Sequence, residues 1–105
     1  MSVYRPDSFK VLKIQNPTET IYKVIGGWSG GYTTGDSWRV NSCITKYTIE
    51  GNTVVFHGHT GSTYQVFRDN ERVTMAMAPA LKMVEQLPQA ELIDFDQFVE
   101  EFVQP

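Results

Sequence analysis

Short β-prone runs separated by turn dipeptides fill the first two-thirds of this chain, and that punctuation limits its possible folds more than any other feature. Residues 9–14 (Phe-Lys-Val-Leu-Lys-Ile) and 20–26 (Thr-Ile-Tyr-Lys-Val-Ile-Gly) are rich in branched and aromatic side chains and are split by Asn16-Pro17. From Trp38 to Glu50 the chain is again β-like, with Thr45, Tyr47 and Ile49 alternating against Lys46 and Thr48. Gly51-Asn52 tolerates positive φ at both positions and predicts a two-residue hairpin turn into a return strand over 53–58. Thr60-Gly61 marks another tight turn, 62–68 a further strand, and Asp69-Asn70 a reversal. Val73, Met75 and Met77 alternate with polar or small residues, so 71–77 reads as a last meander strand.

Helical spacing takes over after that. Val73, Met77, Leu81 and Val84 also fit a helical stripe, but Pro79 would sit in its middle at a cost of about 3 kcal/mol. At a first helical position proline costs nothing, so the helix is placed from near Pro79 to Leu87, before Pro88. Asp94 followed by Gln97 resembles a capping box. Phe95, Phe98, Val99 and Phe102 then form one apolar stripe, with Asp96, Glu100 and Glu101 opposite. Strands followed by helices argue an α+β class: an antiparallel sheet of about five strands with one or two C-terminal helices packed on one face.

At 105 residues, with 41% hydrophobic and 20% charged content, the chain suits a single globular domain over residues 1–105. No apolar run approaches the ~20 residues of a membrane span, and Met1 to Lys10 lacks the apolar core of a signal peptide. The single cysteine, Cys43, suits a reducing compartment, so a cytoplasmic location is expected. All nine Lys and Arg fall within residues 1–84 against six acids, while residues 85–105 hold the other six acids and no base. A body this weakly basic lacks the footprint of a nucleic-acid binder. The acidic end either faces a basic partner or forms a solvated surface.

The most distinctive segment is Gly26 to Arg39, which holds five glycines between Gly26 and Ser37 and reads as a loop or bulged edge. Gly30 and Gly35 have phosphate-loop spacing, but Asp36 stands where that motif needs lysine. Gly27-Trp28-Ser29-Gly30-Gly31 matches a nucleophile elbow formally, without the strand-to-helix context that the motif requires. What survives is a candidate ligand or partner surface made of Trp28, Tyr32, Asp36, Trp38 and Arg39. In it, the aromatic faces stack and the Arg/Asp pair orients a polar group. The alternative is that the aromatics plug the end of the sheet. His57 and His59, two apart in a strand, would share a face, but with no third histidine a metal pair is the weaker reading of them. Cys43 reads as a small core hydrophobe, and Met75, Met77 and Met83 read as core more readily than as an adaptable interface. No catalytic residues and no cofactor are expected.

The stretch from Tyr22-Lys-Val-Ile-Gly-Gly-Trp-Ser-Gly-Gly-Tyr32 into Gly35-Asp-Ser-Trp-Arg-Val-Asn-Ser-Cys-Ile44 resembles short proteins of tailed bacteriophages, particularly myophages of marine cyanobacteria. The resemblance covers residues 20–67 and brings no catalytic residues with it. It implies a phage accessory protein acting in the cytoplasm of the infected cell. Three functions follow from the sequence, in order of preference. The first is a non-enzymatic accessory protein that binds a macromolecular partner, with a homodimer expected. The second is a small-ligand module using the segment 26–39. The third is a metal-dependent hydrolase using His57 and His59.

Overall fold

A computed structural model describes residues 2–29 and 37–103. The strands are β1 (Val3–Tyr4), β2 (Ser8–Gln15), β3 (Thr20–Trp28), β4 (Ser37–Val40), β5 (Ile44–Glu50), β6 (Thr53–Gly58), β7 (Thr63–Phe67) and β8 (Ala90–Ile93). Helices α1 (Ala78–Glu85) and α2 (Phe95–Glu101) flank β8. The α+β class holds, with antiparallel pairing dominant and both helices near the C-terminus. The strands among the described residues number eight rather than about five, and they divide between two sheets. Sheet I runs β1-β7-β6-β5 and sheet II runs β4-β3-β2-β8. One pairing, β1 with β7, is parallel.

Local chemistry explains most of the turns. Gly51 closes the β5–β6 hairpin at φ 60° and Gly61 turns the chain into β7 at φ 94°, a region that side chains avoid. The run from Trp38 to Glu50, expected as one β-like stretch, breaks at Asn41-Ser42-Cys43, where the chain leaves sheet II for sheet I.

Gly26 and Gly27 do not form a loop. They continue β3, and their lack of side chains serves close packing: a Cβ on Gly26 would stand 2.9 Å from the Pro6 side chain, and one on Gly27 3.0 Å from Ser8 Oγ. Residues 71–77 are not a strand either. Glu71 makes one isolated bridge to Phe9, and Met75–Met77 coil into a 3-10 turn that leads into α1. Pro79 sits in the first turn of α1, where its missing N–H costs nothing. Met77 is fully buried, whereas Met75 and Met83 are exposed rather than core.

The main core lies between the sheets. Phe9, Val11 and Val24 of sheet II meet Val54, Phe56 and Tyr64 of sheet I, and α2 presses Phe95 and Phe98 against both. A smaller core, with Leu12, Ile25, Met77 and Ala80, lies on the other face of sheet II beneath α1. The helix α2 starts at Asp94, but without the expected capping box. Asp94 is extended and makes no side-chain cap bond, because its carboxylate binds Lys10 at 2.7 Å. Glu71 takes its place, accepting the Phe95 N–H at 2.7 Å, while Gln97 reaches forward to Glu101.

The acidic end is accordingly bound to the basic body. Asp94 pairs with Lys10, Asp96 with Arg68 at 3.8 Å, and Glu101 with Lys13. Hydrogen bonds from Lys13, Gln97 and Tyr22 hold the Glu101 carboxyl down at about 2. Burial would depress the Lys10 ammonium, but its bonds to Asp94 and Glu71 outweigh that and raise it. No helix among the described residues is long and apolar enough to cross a membrane.

Candidate functional site

The pairing of β3 with β4 divides the expected surface. Gly27 lies opposite Trp38 and Gly26 opposite Arg39, and residues opposite one another share a face. Trp28 and Arg39 therefore face the sandwich interior at its edge, whereas Trp38 faces the α1 side with Val40 and Ile25. Tyr32 and Asp36 lie outside the described residues.

On the interior side the aromatics form a ladder around Tyr4. Trp28 meets the Tyr4 ring edge-on at 6.3 Å and donates its indole N–H to the Arg5 carbonyl at 3.1 Å. Tyr64 lies 5.0 Å from Tyr4 on the core side. The Arg39 guanidinium stacks over Tyr4 with its central carbon 4.5 Å from the ring centre. Arg39 is exposed and makes no ion pair among the described residues, and its described contact is the stack on the Tyr4 ring.

A pocket of about 160 Å³ opens beside this cation, where Tyr4, Arg39, Asn41, Ser42, Thr60 and Tyr64 converge. Asn41 lines it and stands at the point where β4 parts from β3. Val24 is fully buried there and loses its neighbour, which would orphan its N–H at a cost of about 1–3 kcal/mol. Asn41 replaces the missing strand. Its backbone N–H donates to the Val24 carbonyl at 3.1 Å, and its Oδ1 accepts the Val24 N–H at 2.9 Å. That geometry fixes the amide and leaves Nδ2 over. Asn41 is only 5% exposed, and Nδ2 is the buried side-chain polar atom without a partner among the described residues.

The rest of the pocket also presents donors. Ser42 Oγ accepts the Thr60 N–H at 3.2 Å and faces the Thr60 hydroxyl at 3.4 Å, so its own proton is left for a third group. Burial pushes the Tyr64 hydroxyl up to about 12, against the opposing pull of Arg39. Gly58 packs close against three of the pocket's residues. A Cβ there would stand 3.0 Å from Ser42 Oγ, 3.3 Å from the Ser62 carbonyl oxygen and 3.6 Å from Asn41 Nδ2.

The other candidates lie elsewhere. His57 points from the outer face of sheet I, between Lys46 and Thr63, and β6 ends at Gly58. His59 therefore falls in the turn, its N–H bound to the Cys43 carbonyl, and the two histidines do not share one strand face. Among the described residues no group of three or more His, Cys, Asp or Glu is gathered for a metal ion. Cys43 is half-buried at the crossover between sheets. Trp38 lines a separate apolar groove of about 220 Å³ between α1 and sheet II. Asn41, which lines the pocket, is the residue that sequence reasoning missed. Its signal is an Asn-Ser pair interrupting a β-like run, which marks a departure point rather than a strand interior. Comparison with protein-family models, curated proteins and solved structures returns no match.

Proposed function

We propose that this protein is a non-enzymatic binding module that takes a small hydrogen-bonding ligand into the pocket between Arg39 and Asn41. The observation that carries the reading is the Arg39 cation, stacked on Tyr4 and without an ion pair among the described residues, on a pocket that it shares with the hydroxyl-bearing Ser42, Thr60, Ser62 and Tyr64. Hydroxyls and a guanidinium gathered round one space are hydrogen-bonding groups for a ligand to use. Among the described residues that line the pocket, the hydroxyls have no histidine, carboxylate or thiol beside them to activate them, which favours binding over turnover. In a thermal-shift panel of uncharged, cationic and anionic small molecules, at least one class raises the melting temperature by several degrees. Ser62→Leu, a bulkier side chain at a lining position, abolishes that gain. Equal gains in both proteins, or none in either, would sink the reading.

A second reading, in which a macromolecule displays the bound group, draws on Trp28 and Tyr4, which lie half-buried at the rim. It joins the accessory-protein role, in the cytoplasm of a phage-infected cell, that the sequence resemblance implies. Trp28→Ala would then weaken capture of that partner and leave the fold intact. Dimerisation belongs to the same reading: β5 is an edge strand of sheet I and exposes Ile49. Sedimentation that stays monomeric up to high protein concentration would remove it.

A further inference from the structure

We infer that the Arg39–Asn41 pocket is an oxyanion site, shaped for a carboxylate or a phosphoryl group. This rests on the binding reading above and adds to it the charge of the ligand. The charge lining the pocket among the described residues is of one sign. Arg39 brings a permanent positive charge and only donors. Asn41 spends its acceptor on the Val24 N–H, and its Nδ2 is buried rather than open to the pocket. Ser42 already receives the Thr60 amide and faces the Thr60 hydroxyl, which leaves its own O–H free to donate. Thr60, Ser62 and Tyr64 add side-chain hydroxyls to the same lining. Among the described lining residues there is no Asp or Glu to neutralise Arg39. A cation would meet Arg39 with no carboxylate among the described lining residues to offset it, whereas an oxyanion carries the opposite charge and accepts from both the guanidinium and the hydroxyls.

Rigidity and size support the same assignment. The Arg39 guanidinium is already held by its stack on Tyr4, which lowers the cost of ordering it on binding. A planar guanidinium fork matches two oxygens of one anion side by side. The space, about 160 Å³, holds a small anionic group rather than a nucleotide or a peptide segment.

The test is a nuclear magnetic resonance titration of the ¹⁵N-labelled full chain with sodium acetate, inorganic phosphate and acetamide, the last having acetate's shape without its charge. Acetate, phosphate or both shift the Asn41 side-chain NH₂ and the Thr60 backbone amide to saturation, and acetamide binds about tenfold or more weaker. Saturation by acetate alone assigns a carboxylate, and by phosphate alone a phosphoryl group. Arg39→Gln, at an exposed position that spares the core, weakens the anions by about tenfold or more. Acetamide binding as tightly as the anions, or anion binding undiminished in Arg39→Gln, overturns the oxyanion assignment and leaves the binding module standing. If no probe moves either resonance, both fall.

Discussion

The two sheets have four strands each, yet they differ in how many faces they hide. Sheet I buries one. In β6, Val54, Phe56 and Gly58 turn inward while Thr53, Val55 and His57 turn outward. Sheet II buries both. Phe9 and Val11 of β2 enter the main core, while Leu12 between them and α1 enters the second. A sheet with one wet face writes its orientation into the sequence as alternation, whereas a sheet covered on both sides writes only an apolar run. The second cover is also the thinner one: α1 has eight residues and leaves the groove beside Trp38 open, so the two cores should not contribute equally.

That inequality is measurable. Phe56→Ala, at the centre of the main core against Phe9, Phe95 and Phe98, should cost about 3–5 kcal/mol in urea unfolding. Leu12→Ala, beneath α1, should cost nearer the low end of the ~2–5 kcal/mol range because the open groove lets its surroundings relax. Equal losses would erase the distinction between the cores. The tie between α2 and sheet II makes a third check. Glu101 titrates at about 2 when folded against 4.5 for a free glutamate, so its stabilisation is complete above about 4.5 and is lost as pH falls toward 2. Glu101→Gln should flatten the acid limb of the stability curve over that window, and an unchanged limb would mean that the contacts to Lys13 and Tyr22 do not hold in solution. Tyr22 works at the other extreme. Burial and Glu101 raise its hydroxyl to about 12, so stability should decline as pH rises from about 10. The smallest effect belongs to the wet face of sheet I, where Val55→Thr should change stability by about 0.5 kcal/mol or less.

Where chemistry was local, the sequence was enough. Gly51 and Gly61 announced turns because their φ values demand them, and the phenylalanine stripe of α2 was readable because a helix repeats its face. Partners distant in the chain obscured the rest. Gly26 and Gly27 look like loop residues until Pro6 and Ser8 crowd them from another strand. Asp94 and Gln97 spell a capping box, but Lys10 and Glu71, remote in sequence, take over the bonds. β8 is four residues long and weakly β-prone, and it exists because the edge of β2 needs covering. The pocket was half legible. Arg39 stood among the expected residues, but Asn41 acquires its role only when β4 departs and leaves Val24 to be satisfied.

Tyr4, the platform under Arg39, rides on β1, the shortest strand of the molecule's described part. Two residues in parallel register with Thr63 and Tyr64, plus one bond from the Thr63 N–H to the Ser2 carbonyl, are a slender tether. Segments fastened so lightly detach at little free-energy cost while the remainder stays folded. The orientation of the guanidinium therefore depends on a two-residue strand far from it in sequence. Amide exchange at Tyr4 should accordingly be faster than exchange in the middle of β6.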